Sequence, residues 1–376
     1  QVLNEMLDIH PFDITQVPDG CVIVTTTLSP TDTIVLSKKK IAGLALTEGG
    51  LSSHVVILAR NFGIPTVVGL NETSIKKKIQ NGEILIVDTE AGEILAEPDE
   101  QTLNEFKLKK ENEQAEQKVL DEYLDKPARS KDGGEFKLYA NIGSTEEAEL
   151  AVKCGADGIG LFRTEFLYMS MAECSHHVSA RAFNEEEQFE AYKKVLQVMN
   201  GKPVTIRTLD AGGDKFINSV DMPHFEEKNP LMGMRAVRLS LEYPQIFKTQ
   251  LRALYRASVY GNLRIMLPLI TSTEQVEQCL EIARTVREEL KADKIEFDEN
   301  VPIGIMIETA AAAITSDCLA KVSDFFSLGT NDLTQYTLGV DRENSNVSDL
   351  YDEFSLAVLR LINMTIVNAK YELLHL

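Results

Sequence analysis

From about residue 135 onward, short runs with no polar alternation repeat between longer segments of helical period. The runs are residues 138–142 (LYANI), 158–162 (GIGLF), 204–209 (VTIRTL), 264–270 (RIMLPLI), 303–308 (IGIMIE) and 324–328 (DFFSL). Helical segments such as 184–200 and 272–291 lie between them. A strand apolar on both faces must be covered on both. Strands alternating with helices meet that demand as a parallel sheet joined by crossovers. Polar residues stand at the C-terminal ends of the runs: Asn141, Arg163, Arg207 with Asp210, Glu308, and Asn331 with Asp332. A (β/α)8 barrel gathers its chemistry at that edge. The expected fold class is α/β, with 135–376 forming a partial TIM-type barrel. Six strands are counted before Leu376, two βα units short of a closed barrel.

Two other regions precede it. Residues 1–96 carry short β-type runs punctuated by Gly and Pro: 21–25 (CVIVT), 43–46, 66–69 and 84–87 (ILIV), with DTEAGE turning into a partner strand at 94–96. Residues 97–126 hold many helix formers and few apolar residues, and read as a solvated helix bridging two domains. The competing reading packs that helix on one domain through Leu103, Phe106, Val119, Leu120 and Tyr123. Pro127 and Gly133-Gly134 end the helix, giving a helical linker over 97–134. A length of 376 residues supports two or three domains at about 150 residues each.

The formal net charge is −20, from 38 Lys and Arg against 58 Asp and Glu. Such a field repels nucleic acid and anionic lipid, so neither is an expected partner. An anionic substrate has to be caught by a local basic cluster. No apolar run approaches the roughly 18 to 20 residues of a membrane helix. QVLNEMLDIH lacks the charged and apolar regions of a signal peptide, and the absence of an initiator Met suggests an upstream extension. Cys21, Cys154, Cys174, Cys279 and Cys318 are dispersed without a CxxC pair. That fits a reducing cytoplasm and excludes a zinc site built on paired cysteines.

Four constellations carry chemistry. In residues 47–60, TEGGLSSHVVILAR, two glycines allow close backbone approach, Ser52 or Ser53 can cap a helix, and His54 follows at an N-terminus suited to an anion. His is a competent nucleophile. Taken alone, one His after Gly-Gly is more often structural. Arg163 (GLFRTEF), Arg207 (TIRTLD), Arg235 (GMRAVR) and Arg342 (VDREN) form the second set, with Lys215 in GGDK as an added point charge. Guanidinium forks match phosphate and carboxylate oxygens, although any single Arg is more often paired with a neighbouring Asp or Glu. Glu308 and Asp332 form the third, a carboxylate pair of the kind that holds Mg²⁺, or partners for arginine. The fourth is GTNDLTQY, where Asn331 and turn N–H groups can donate to a phosphate.

Together these strings resemble enzyme I of the bacterial phosphoenolpyruvate:sugar phosphotransferase system. GGLSSHVVILAR is similar to the family's phosphohistidine loop. YANIGS, GADGIGLFRTEFLYM, EEEQFEAYKKVL, RTLDAGGDK, NPLMGMRAVR, LRALYRASVYGNLRIMLPLI and DFFSLGTNDLTQYTLGVDR are similar to its phosphoenolpyruvate barrel, in the same order. The resemblance covers nearly all of 15–370. It implies a partial swivelling β/α phosphohistidine domain at 1–96, joined by the linker to the partial barrel. It implies that His54 is phosphorylated on Nε2. Arg163, Arg207 and Arg342 would then hold the phosphate and carboxylate of phosphoenolpyruvate, with Asn331 donating to the phosphate. Lys215 and Arg235 would be further contacts, and Glu308 and Asp332 would hold Mg²⁺. The family releases pyruvate, passes the phosphoryl group to the carrier protein HPr, and dimerises through its barrel.

The chain departs from the family in lacking an HPr-binding helical subdomain before its start and the Cys-Gly-Glu turn whose Cys protonates the enolate. Ala310 replaces a usual Pro, and residues 170–184 form a longer loop whose His176-His177 is read as solvated rather than metal-binding. Two alternatives stand beside the leading reading: a piece of pyruvate, phosphate dikinase or phosphoenolpyruvate synthase, and a non-catalytic phosphoenolpyruvate-binding remnant.

Overall fold

The structure is a computed structural model that describes residues 14–28, 32, 35–36, 39–48, 56, 59, 63–70, 79–124, 126–168, 184–212, 227–342, 344 and 346–373. These residues divide into two compact units, one within 1–124 and the other within 125–376. His54 and Lys215 lie outside the described residues, as do the glycines of TEGGLSSH and the His176-His177 loop.

In the first unit, β1 (Val22–Thr25), β2 (Gly43–Leu46) and β3 (Thr66–Val67) form a parallel sheet in that order. Among the described residues its core holds Val17, Leu36, Leu44, Ala59 and Ile64, with Leu46 and Val56 in a second cluster. β4 (Leu85–Asp88) and β5 (Glu93–Ala96) form an antiparallel hairpin. Asp88 builds its turn by accepting from the N–H groups of Glu90 at 3.0 Å and Ala91 at 3.2 Å, and Gly92 adopts φ +68°. Helix α1 (Glu100–Asp121) begins where Asp99 accepts from Thr102 N at 2.7 Å. Lys109 ties it to the hairpin turn through Glu90 at 2.5 Å. Leu103 and Phe106 are half-buried in its first half, while Val119, Leu120 and the following Tyr123 stand exposed. Among the described residues the apolar contacts of the helix thus lie in its N-terminal half.

The second unit opens with a hairpin, β6 (Ala128–Arg129) against β7 (Glu135–Phe136), closed by an Arg129–Glu135 ion pair. Residues 128–134 were expected to end a helical linker; β6 and the turn after it occupy them instead. Six strands follow: β8 (Tyr139–Ile142), β9 (Gly158–Arg163), β10 (Val204–Arg207), β11 (Leu263–Leu267), β12 (Ile303–Ile307) and β13 (Phe326–Leu328). Each pairs in parallel with the next, in sequence order. This is the wall of a partial TIM-type barrel, as the alternation of runs and helices requires. Between the strands lie α2 (Thr145–Lys153), α3 (Glu185–Met199), α4 (Ala236–Glu242), α5 (Pro244–Ala257), α6 (Thr273–Ala292), α7 (Ala310–Ile314) and α8 (Ser316–Leu319). After β13 come α9 (Thr330–Leu338) and α10 (Leu356–Leu373).

Helix starts are specified locally. Ser144 accepts from Glu147 N, and Glu147 accepts from Gly143 N, a reciprocal cap on α2. Asn184 caps α3 above three glutamates, which suit the positive end of the helix dipole. The main core fills the space between sheet and helices, with Phe162, Ile206, Ile265 and Ile305 from the strands meeting Leu196, Leu254 and Val286 from the helices. The opposite face of the sheet carries Arg207 and Met306, whose guanidinium Nη1 and sulfur lie 3.8 Å apart. The cysteines Cys21, Cys154, Cys279 and Cys318 are free.

Candidate active site at the strand ends

Two strands deliver the first pair of arginines. Arg163 closes β9 and Arg207 closes β10, and the two are register partners. A register shift between β9 and β10 makes this possible. Ile159 pairs with Val204, but Phe162, not Leu161, pairs with Ile206. Ile159 and Phe162 thus both enter the helix-facing core, and Arg163 turns to the face that Arg207 occupies. Without the bulge, period-two alternation would put Arg163 on the helix side.

Arg207 is 7% exposed. Its Nη2 meets Glu165 Oε1 at 2.6 Å and its Nη1 meets Asp210 Oδ2 at 2.7 Å. Asp210 Oδ1 in turn binds Arg235 Nη2 at 2.8 Å. Burial works against the charge of both guanidiniums. The neighbouring acidic groups together, Asp210 foremost, outweigh it, with Glu165 and Glu308 adding at Arg207 and Asp332 at Arg235, so both are held more firmly protonated than a free arginine. The chain Glu165–Arg207–Asp210–Arg235 leaves donors and an acceptor over: Arg207 Nε, Arg235 Nε and Glu165 Oε2 are buried atoms without a hydrogen-bond partner among the described residues. Among the described residues Arg163 makes no side-chain hydrogen bond or ion pair, although its charge favours ionisation of nearby Glu147 against the burial that opposes it.

The other side of the cluster comes from β12 and α9. Glu308 follows β12 at 2% exposure, and its Oε1 accepts from Leu269 N at 2.6 Å. Leu269 can offer that N–H because it turns with φ +54° directly after Pro268. Asp332 lies in the first turn of α9 and pairs with Arg342 Nη1 at 2.9 Å. Burial, then the charge of Asp210, pushes the Glu308 carboxyl up to about 8. Arg207 opposes the rise and Asp332 adds to it. Asn331 is exposed beside Asp332, and its carbonyl accepts from Tyr351 OH at 3.2 Å. Tyr336 OH donates to Leu231 O at 2.5 Å, joining α9 to the loop before Arg235.

The fit to a divalent cation can be judged from these donors. Glu308 Oε2 makes no hydrogen bond among the described residues and faces Gly329, where an added Cβ would stand 2.9 Å from it. Burial first, and then the negative charge of Asp210 and Asp332, favours the protonated form of Glu308, and a hard cation would counter that charge. Among the described residues no group of three or more His, Cys, Asp or Glu is arranged as a metal cage. Two carboxylates with the remaining positions left to substrate and water suit Mg²⁺ chemistry. Asp332 would share itself between that ion and Arg342.

The structure therefore brings Arg207, Arg235, Glu308, Asp332 and Arg342 into one cluster, with Arg163 and Asn331 alongside. Sequence reasoning missed Glu165 and the buried amide of Gln250. Gln250 was legible as one polar residue on the apolar stripe Phe247, Leu251 and Leu254 of α5.

Comparison with known proteins narrows the family. Residues 117–375 match the PEP-binding domain of the PEP-utilising enzymes, and residues 17–92 match the mobile domain of the same enzymes. The phosphoenolpyruvate-protein phosphotransferase of Priestia megaterium is 41% identical over 373 residues, covering 99% of this chain and 63% of its own. That of Geobacillus stearothermophilus is 40% identical over 372 residues, covering 99% and 62%. That of Staphylococcus carnosus is 40% identical over 366 residues, covering 97% and 62%. The chain thus spans less than two thirds of the length of these relatives. With a mobile domain and a PEP-binding domain matched in chain order, and a buried arginine–carboxylate cluster at the strand ends of the second, the chain belongs to the PEP-utilising enzyme family.

Proposed function

We propose that the chain supplies the phosphohistidine and phosphoenolpyruvate-binding portions of a phosphoenolpyruvate-protein phosphotransferase. The observation that carries this reading is the buried Arg207 and the partly buried Arg235, whose Nε–H groups lack partners among the described residues, beside an Arg163 that is likewise unpaired among them. A small multivalent anion would satisfy all three. In this reading Arg163, Arg207 and Arg342 grip the phosphate and carboxylate of phosphoenolpyruvate, Asn331 donates to the phosphate, and Arg235 and Lys215 add positive charge. Glu308 and Asp332 hold Mg²⁺, which when bound neutralises charge on phosphate and enolate oxygens.

The step itself asks for positioning and charge stabilisation rather than covalent chemistry from the barrel. The lone pair of neutral His54 Nε2 forms the new N–P bond. The bridging P–O bond breaks, its electron pair passing to the enolate oxygen. Protonation at the methylene carbon then gives pyruvate. The arginines hold the three equatorial oxygens while negative charge redistributes, and the buried setting of Arg207 strengthens its contacts. The phosphoryl group would next pass to HPr. Among the described residues no helix is long and apolar enough to cross a membrane, which supports a cytoplasmic setting. Exposed Leu356, Val367 and Tyr371 on α10 support a protein surface against that helix, such as a homodimer partner.

Peptide-level mass spectrometry under alkaline conditions, after mixing with phosphoenolpyruvate and Mg²⁺, tests the reading. A phosphoryl adduct on His54 that disappears in His54→Ala is expected. Absence of both adduct and calorimetric binding of phosphoenolpyruvate would overturn it.

A further inference from the structure

We propose that Gln250 is the positioning residue of the strand-end cluster: one buried carboxamide sets the turns after β9 and β10, and through them Arg163 and Arg207. This deepens the functional reading above and rests on it only for the identity of the ligand. Gln250 sits on α5 at 1% exposure, on the face that otherwise carries Phe247, Leu251 and Leu254. A leucine there would continue the apolar stripe. A buried amide is costly unless it is hydrogen-bonded, and here both amide protons and the carbonyl oxygen are engaged.

Its Oε1 accepts from Leu209 N at 3.0 Å, and its Nε2 donates to Thr164 Oγ1 at 3.3 Å and to Tyr192 OH at 3.2 Å. The directions are forced. Thr164 spends its own proton on Arg207 O at 3.0 Å, so it can only accept from Gln250. Tyr192 OH donates to Gln188 Oε1 at 3.2 Å, and Tyr168 OH donates to the same oxygen at 2.8 Å. A flipped amide would set its NH₂ against the Leu209 N–H. The orientation of Gln250 is therefore fixed by both turns at once.

The two turns are the ones the site uses. Thr164 lies between Arg163 and the Glu165 that grips Arg207. Leu209 precedes the Asp210 that grips Arg207 and Arg235. A shift of one turn moves a guanidinium and its counter-charge together, and misplacements of about 1 Å at a phosphoryl site cost on the order of a hundredfold.

The test pairs hydrogen exchange with calorimetry of phosphoenolpyruvate in the presence of Mg²⁺. Gln250→Met keeps length and bulk but loses all three hydrogen bonds. We expect exchange across 204–211 to quicken at least about tenfold, with 273–292 and 303–307 unchanged, and affinity to fall at least about tenfold. Thr164→Ser, which keeps the hydroxyl, should stay within about twofold of the parent, while Thr164→Val should follow Gln250→Met in part. Unchanged exchange with affinity within about twofold would overturn the proposal, as would a uniform rise in exchange across the unit, since a residue that merely stabilises the core would give that. If the parent chain itself fails to bind phosphoenolpyruvate, the ligand assignment falls, and the exchange pattern still decides the role of Gln250.

Discussion

The two ends of the six-stranded sheet handle charge in opposite ways. At the N-terminal end, Asp157 and Asp324 repeat one device. The N–H of Asp157 donates to Leu138 O at 2.8 Å and its carboxylate accepts from Leu138 N at 2.9 Å. The N–H of Asp324 donates to Ile303 O at 3.0 Å, and its carboxylate accepts from Ile303 N at 2.7 Å. Both aspartates are near the surface, and each closes the start of the neighbouring strand locally. At the C-terminal end, buried Arg207, Asp210 and Glu165 share partners in a chain with the partly buried Arg235, and among the described residues they leave donors unused. Satisfied, solvated charge serves the stability of strand ends. Buried charge with spare hydrogen-bonding capacity is what a ligand site requires, and it explains why the chemistry of such sheets collects on one edge.

Removing the centre of the buried end tests the contrast most severely. Arg207→Met leaves Glu165 and Asp210 without their shared cation and removes the opposing charge beside Glu308. Breaking a buried ion pair from one side costs about 3–5 kcal/mol. Phosphorylation of His54 should fall on the order of 10³-fold, since an arginine at a phosphoryl group has that weight. Chemical denaturation and the mass-spectrometric assay read the two effects. A variant of parental stability would mean that the chain of charges is loosely solvated.

A second test uses pH, through Glu308. Its ordinary value of 4.5 is pushed up to about 8 by burial and by Asp210. Between those values the folded chain keeps a proton that the unfolded chain releases. The stabilisation is therefore complete at the acid end and is lost as pH rises toward 8. In metal-free buffer, Glu308→Gln should gain on the parent across that window by a few kcal/mol, at about 1.4 kcal/mol per tenfold in proton affinity. Denaturation curves at a series of pH values measure it, and a constant difference between the two proteins would refute the assignment.

The fold was legible where the physics is local. Six apolar runs gave six strands because burial on both faces leaves a parallel sheet as the simplest packing. The runs overreached at several ends, and two of these are informative. Residues 208–209 and 268–270 were read as strand, yet β10 ends at Arg207 and β11 at Leu267. The extra residues are turns whose freed N–H groups serve the site, Leu209 toward Gln250 and Leu269 toward Glu308. Apolar side chains there mimic strand while their backbones do other work. The bulge that re-aims Arg163 left no mark in the sequence. Neither did the Gln250 network, whose partners lie 41 to 86 residues away. The arginines themselves were visible as forks for an anion, but which carboxylate each would meet depended on that packing. The β6–β7 hairpin was missed because its strands are two residues long and mostly exposed.

Two glycines separate the ends of the sheet at smaller cost. Gly304 lies in β12 near its start, where an added Cβ would collide with the Phe325 carbonyl and ring. Gly329 follows β13, where a Cβ would stand 2.8 Å from Glu308 Cβ and 2.9 Å from Oε2. Gly304→Ala should lower stability by about 2–3 kcal/mol through overpacking against backbone. In the protein that still folds, ligand affinity should be kept. Gly329→Ala presses on the Glu308 carboxylate, so its main effect should be weaker Mg²⁺-dependent binding with a smaller stability loss. Calorimetry and thermal melts on both variants give a two-by-two comparison, and equal losses of affinity would erase the distinction between the ends.

The smallest effect is expected at the strand-start device itself. Asp324→Ala removes the acceptor of the Ile303 N–H, but Asp324 is exposed, so water can take the place of its carboxylate. The loss should be about 1 kcal/mol or less, the net worth of an ordinary hydrogen bond. Affinity for phosphoenolpyruvate should stay within about twofold, because no charge at the far end of the sheet changes partner. The same substitution at Asp210 would strip both Arg207 and Arg235 of their shared counter-charge. An Asp324→Ala protein that lost affinity while keeping its stability would mean that the strand starts feed the site after all. The division of labour between the ends would then have to be redrawn as coupling along β12, whose first residue Asp324 holds and whose last residue precedes Glu308.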